Sequence, residues 1–176
     1  RMEEGLDTGD FCICRKIPIE DRSAEELTGE LASLGAGALI TALEQLRSGA
    51  IHWTKQDESQ VTYAQKIAKH ELDISPDQDA ACAARRVQAS SAAHPSKCIL
   101  GNRTVTVLTA KVVEQDASDV PAAARVRFAQ ERLLLGCAEG ALEVLSLKPD
   151  GKRAMTAQQF AQGMPGLKEG ISWEAL

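Results

Sequence analysis

The stretch Lys97-Cys-Ile-Leu100, Gly101-Asn102, Arg103-Thr-Val-Thr-Val-Leu-Thr-Ala-Lys-Val-Val113 decides the fold of this 176-residue chain. Its apolar residues recur with a period of two and β-branched side chains dominate, the pattern of strands with one buried face. Gly101-Asn102 supplies the turn between the two runs. Three further strand candidates follow: Arg125-Val-Arg-Phe128, Leu133-Leu-Leu-Gly-Cys137 and Ala141-Leu-Glu-Val-Leu-Ser-Leu147. Turn-rich joints at Gly101, residues 116–121, residues 130–132 and Glu139-Gly140 separate them. Five short strands in so small a space point to a closed barrel, and an OB-like Greek key is the commonest form of that size. Thr156-Ala-Gln-Gln159 is a capping box that opens a last helix, stopped at Gly163.

Upstream of the barrel the period changes. Ser75-Pro76-Asp77-Gln78 predicts a helix with Ser75 as N-cap, Pro76 at its first position and Gln78 at its third, running to about Ala89. Its alanines suit close packing, and Arg85 and Arg86 complement the dipole at its end. Residues 90–95 read as a small-residue linker and the best domain boundary. Residues 49–62 are polar and read as a surface excursion leading to Thr62-Tyr-Ala-Gln-Lys-Ile-Ala-Lys69. Ser23-Ala-Glu-Glu26 is another capping box. The helix behind it places Leu27, Leu31, Leu34, Ala38, Ala42 and Leu46 on one stripe, expected to be buried, with Gly35 and Gly37 marking a close helix–sheet approach and Gly49 the stop. Phe11-Cys-Ile-Cys-Arg-Lys-Ile17 alternates as a strand ended by Pro18. Before it, Gly5-Leu6-Asp7-Thr8-Gly9-Asp10 places a carboxylate on a tight, glycine-bracketed loop, the kind of place where α/β proteins carry chemistry. As ordinary turn formers, Asp7 and Asp10 need no further role.

The expected organisation is therefore three parts. Residues 1–50 are an α/β remnant, a strand plus helix closing a Rossmann-like domain. Residues 51–94 are a helical connector, and residues 95–176 an OB-like β-barrel. The chain opens on Arg1 and is in a site-like loop within ten residues, which reads as the interior of a longer protein.

Composition narrows the function classes. Aromatic content is 3%, so the core is built from Leu, Ile, Val and Ala, and base-stacking single-strand binding is disfavoured. No apolar run approaches the roughly 20 residues of a spanning helix, and Arg1 to Asp10, acidic and without a hydrophobic segment, does not read as a signal peptide. Five cysteines include no Cys-x-x-Cys pair and form no metal-ligand pattern, which indicates buried thiols in a reducing, cytoplasmic setting. Net charge is −5, with −6 on residues 1–94 and +1 on residues 95–176, so any nucleic-acid contact must use a local basic patch.

Three stretches together resemble the methionyl-tRNA formyltransferase family: Met2-Glu-Glu-Gly-Leu-Asp-Thr-Gly-Asp10; Gln56-Asp-Glu with Thr62-Tyr-Ala-Gln-Lys-Ile-Ala-Lys69; and Leu145-Ser-Leu-Lys-Pro-Asp-Gly-Lys-Arg-Ala-Met-Thr-Ala-Gln-Gln-Phe-Ala-Gln-Gly163. The resemblance implies the C-terminal part of such an enzyme: the end of its formyltransferase domain, a connector and an OB-like domain. It also implies transfer of a formyl group from 10-formyltetrahydrofolate, without a metal, to the amino group of methionine on initiator tRNA. Of the family's Asn, His and Asp triad, Asp7 matches the Asp. The Asn and His lie upstream of Arg1 in the family, and His52, His70 and His94 sit in no matching motif. This polypeptide alone is accordingly expected to be inactive.

The family's tRNA lies along a basic channel, which the resemblance places at Lys66, Lys69, Lys148, Lys152 and Arg153, with Arg85, Arg86, Arg103 and Lys111 as weaker candidates. Phosphate contact needs cations spaced in this way along a groove, although each is also an ordinary solvated surface charge. Oligomerisation is not expected of the intact enzyme, whereas an uncovered first strand and helix would favour self-association of this piece. Two departures weaken the connector and the first strands as tRNA contacts: Val87-Gln88-Ala89 lacks a cation usual in the family, and Pro121-Ala122 stands for its Pro-Gly. A sugar-nucleotide formyltransferase, which shares the Asp loop and barrel, and a stand-alone OB-type nucleic-acid-binding module are the alternatives.

Overall fold

The computed structural model describes residues 1–113, 119–164, 166–167 and 170–176; residues 116–118 of the expected turn lie outside them. Two compact units are present, Arg1–Lys66 and Ile67–Leu176.

The second unit is a seven-stranded antiparallel sheet with the strands β1 (Lys97–Leu100), β2 (Arg103–Val113), β3 (Val126–Ala129), β4 (Arg132–Gly136), β5 (Ala141–Pro149), β6 (Met155–Thr156) and β7 (Trp173–Glu174). Their order is β3-β4-β5-β2-β1-β7, with β6 paired to the side of β5. A bridge between Arg125 and Ser172 brings the two ends together: Val126 N–H donates to Ile171 O at 2.8 Å and Trp173 N–H to Ala124 O at 3.0 Å. The sheet is thus nearly closed and barrel-like, and few backbone edges are left unpaired.

Burial follows the period read from the sequence. Val105 and Val107 of β2 point into the core with Cys98 and Leu100 of β1, Leu142, Val144 and Leu147 of β5, and Trp173. The β2–β5 register slips between Val107 and Ala110, a bulge that bends the long strand around the barrel. In β4 the run of leucines is buried on both faces: Leu133 and Leu135 join the main core, and Leu134 joins a second cluster with Val113 and Ala141. The Trp173 indole N–H donates to Gly136 O at 2.8 Å. A Cβ on Gly136 would stand 2.0 Å from Ala122 O, so only glycine lets the chain pass there.

Helix α2 (Ala80–Ala89) packs on β2, burying Ala80, Ala83 and Val87. It starts four residues later than Ser75-Pro76 predicts. The N-cap is Asp79, whose side chain accepts from the Cys82 N–H, whereas Ser75 to Gln78 form a separate turn. Tertiary pairing decides this: Ala80 N–H, which a helix starting at residue 76 would use internally, donates instead to Glu139 O at 2.9 Å. Residues 90–95 are consequently a loop inside the second unit rather than its boundary, since α2 belongs to the barrel's own packing. Helix α3 (Ala157–Gln162) has the expected Thr156/Gln159 capping box and buries Ala157 and Phe160.

The first unit contains α1 (Ala24–Ser48), with both halves of the Ser23/Glu26 capping box and Gly49 in the left-handed conformation at its end, as expected. The buried stripe is not found. No residue of α1 is buried, Leu31, Leu39, Leu43 and Leu46 are exposed, and nothing lies within 4 Å of a Cβ on Gly35 or Gly37. The strand over residues 11–17 does not form either. Phe11 makes one antiparallel bridge to Thr54, with N–H···O distances of 3.1 and 2.8 Å, and no ladder follows. A strand needs a neighbour for every second residue, and no other described segment offers one. The Rossmann-like remnant expected over residues 1–50 is therefore not seen: the first unit holds a capped helix and one bridge.

Candidate functional site

Asp7 lies on an exposed loop with φ +57, the left-handed region that a non-glycine residue enters only when held there. Two contacts shape the loop. The Thr8 hydroxyl donates to Gly5 O at 3.1 Å, and a Cβ on Gly5 would stand 2.7 Å from that Oγ1. From across the Phe11–Thr54 bridge, Gln56 Nε2 donates to Asp7 O at 2.8 Å and to Gly9 O at 2.7 Å. The Asp7 carboxylate itself is free of hydrogen bonds and ion pairs among the described residues. Gln56 was legible only as part of a motif; its contact with the loop spans 49 residues and has no local signal. Next to it, Asp57 caps the turn Glu58–Gln60, and hydrogen bonds from the Ser59 hydroxyl and the Gln60 amide lower its pKa.

The loop does not amount to a cofactor site by itself. Residues 1–8 are exposed and no buried apolar wall faces them, so the residues present do not form a pterin pocket. A carboxylate placed beside an imidazole can orient it and favour its charged form. Of the three imidazoles, His70 bonds elsewhere, its Nδ1 lying 2.7 Å from Asp73 Oδ2. Among the described residues, no group of three or more His, Cys, Asp or Glu is placed to hold a metal.

The basic candidates fall into different situations. Lys66 ends the first unit and Lys69 lies in a turn of the second, both exposed. Lys148 is on β5, and Lys152 and Arg153 follow the Gly151 turn (φ +73), where Lys152 N–H donates to Pro149 O at 3.0 Å. The strand register adds a cation that sequence reading did not single out. Lys97 pairs with Thr106, and Thr106 pairs with Lys148, so the three residues form one row across β1, β2 and β5 on the same sheet face. An open groove of about 600 Å³ adjoins it, lined by Arg103, Thr104, Pro149, Asp150, Lys152 and Gly163. Asp150 lies 3.5 Å from Lys97 Nζ and offsets part of this charge.

Three of the weaker candidates do structural work or stand apart. Lys111 lies 3.5 Å from Glu143, a carboxylate only 6% exposed, which also binds Arg132 at 2.6 Å; the hydrogen bond that Arg132 donates to Glu143 holds its guanidinium more firmly protonated. Arg86 donates to Asp73 O, whereas Arg85 is exposed on α2. All five cysteines are free thiols, with Cys98 and Cys137 buried, Cys12 and Cys82 half-buried and Cys14 exposed. Burial, with a smaller contribution from the Asp73 charge, pushes the Cys98 thiol far up; burial likewise raises Cys137 to about 11, so neither is a ready nucleophile.

The second unit is thus a small antiparallel barrel with Lys97 and Lys148 in one row across β1, β2 and β5. Residues 66–165 match the family described as formyl transferase, C-terminal domain, and the chain belongs to that family. It is similar to proteins named methionyl-tRNA formyltransferase: that of Rubrobacter xylanophilus is 34% identical over 170 residues, 93% of this chain and 54% of the relative. That of Pseudoalteromonas translucida is 33% identical over 165 residues, 93% and 51% of the two chains. That of Methylococcus capsulatus is 35% identical over 161 residues, 91% and 52%. The chain spans about half the length of these curated relatives. The family match begins within a residue of the border between the two compact units. No helix among the described residues is long and apolar enough to cross a membrane.

Proposed function

We propose that this chain is part of a cytoplasmic methionyl-tRNA formyltransferase, which passes the formyl group of 10-formyltetrahydrofolate to the amino group of methionyl initiator tRNA. The single observation that carries the reading is the similarity to proteins of that name over 93% of the chain. In this reading residues 1–50 close the catalytic domain, with Asp7 orienting a histidine contributed from outside this chain. Lys66 and Lys69 of the connector, with Lys148, Lys152 and Arg153 of the barrel, hold the tRNA backbone. Lys97 and Arg103 belong with the barrel set, because the register and the groove bring them beside Lys148 and Lys152. Phosphate contacts position an RNA without reading its bases, which suits a domain poor in aromatic residues.

In this reading the folate-holding groups come from outside these residues, and the attacking amine belongs to the methionine on the tRNA. The isolated 176-residue chain should bind initiator tRNA and form no formyl-methionyl-tRNA. A titration with initiator tRNA and, separately, with a nucleoside-diphosphate sugar tests the assignment. Saturable tRNA binding with none to the sugar nucleotide supports it, and the reverse order overturns it.

A further inference from the structure

The bridge between Phe11 and Thr54 sets a local antiparallel register in which Gln56 stands opposite Gly9, two residues back along the other segment. Its side chain reaches over and donates both of its N–H bonds, to Asp7 O at 2.8 Å and Gly9 O at 2.7 Å. The two carbonyls bracket Thr8, and Asp7, which carries the first of them, holds φ +57. Such a conformation in a residue with a Cβ is disfavoured by roughly 1–3 kcal/mol and persists only where neighbours over-determine it. An amide NH₂ suits this task because it offers two donors on one nitrogen, whereas a carboxylate of identical shape offers none.

From this geometry we infer that Gln56 is a positioning residue for Asp7, clamping the loop so that the carboxylate is presented in one direction. The inference rests on the proposed formyltransferase role of Asp7 for its consequence in catalysis, although the clamp itself does not. Gln56 touches no reacting atom; it acts through the backbone of residues 7–9. Thr8 to Gly5 closes the loop locally, and Gln56 ties it to a segment nearly fifty residues away.

The clamp is tested in the 176-residue chain and in the longer enzyme that contains it. In the chain, a strong intraresidue HN–Hα cross-peak for Asp7 reports its positive φ. Gln56→Ala and Gln56→Glu should both weaken that peak at neutral pH while the far-UV spectrum of α1 stays unchanged. A peak of undiminished strength in either variant would overturn the clamp. In the longer enzyme, Gln56→Ala should lower kcat by about 10–100-fold, the penalty of a misplaced catalytic group, with KM for tRNA unchanged. A rise in KM at constant kcat would overturn the positioning role. If that enzyme forms no formyl-methionyl-tRNA even with Gln56 intact, the function proposal fails, and the Asp7 cross-peak still decides the clamp.

Discussion

Two helices begin with the same device and end in opposite environments. Ser23/Glu26 opens α1 and Thr156/Gln159 opens α3, each with both halves of a capping box formed. The six residues of α3 bury Ala157 and Phe160 against the barrel, whereas none of the 25 residues of α1 is buried. The same contrast holds for the units around them: among the described residues, every buried hydrophobic side chain, from Leu72 to Trp173, lies in the second. Local hydrogen bonding decides where a helix starts. Whether its apolar side counts toward stability depends on what covers it.

Removing apolar groups separates the units most sharply. Trp173→Ala empties the largest fully buried side-chain position and removes the bond to Gly136, which should cost about 3–5 kcal/mol in urea unfolding. Leu39→Ala, at a position 61% exposed, should change stability by less than about 0.5 kcal/mol. Comparable losses at the two sites would mean that α1 shares the barrel's core.

Cap removal tests the same point at a smaller scale. Ser23→Ala and Thr156→Ala each delete a cap worth about 1 kcal/mol. The first should lower helical ellipticity while leaving the barrel's unfolding midpoint in place, and the second should shift that midpoint. The smallest effect is pH-dependent. Bonds from the Ser23 backbone N–H and then its hydroxyl lower the Glu26 pKa. A carboxylate whose pKa is lower folded than unfolded contributes above its unfolded value, about 4.3, and loses that contribution as pH falls through the folded value. The ellipticity of α1 should therefore decline on acidification below about pH 4, and Glu26→Gln should flatten that part of the curve.

What was legible in the sequence follows the same division. The bounds of β1 and β2 come out as read, because β-branched residues dominate both runs and Gly101-Asn102 turns between them. The two-residue strands β6 and β7 were not legible, since strands so short carry no period and exist through their partners, β5 and β1. Ser75 looked like an N-cap but lost to Asp79, once Ala80 N–H was taken by Glu139. The strand over residues 11–17 had the right pattern and no ladder to join. At the site, Asp7 and the cations after Gly151 could be named from motifs. The hold of Gln56 on the loop and the place of Lys97 beside Lys148 could not, because a 49-residue hydrogen bond and a three-strand row are properties of the folded chain.

In the proposed function most of the grip on the tRNA phosphate backbone comes from the barrel, through Lys97 and Lys148 of the row and through Lys152 and Arg153 beside it. The most direct measurement is the salt dependence of initiator-tRNA binding by the 176-residue chain and its Lys152→Glu/Arg153→Glu variant. Each lost phosphate contact should reduce the slope of log K against log salt by about 1, so the double variant should bind more weakly with a slope flatter by about 1–2. An unchanged affinity and slope would contradict the account.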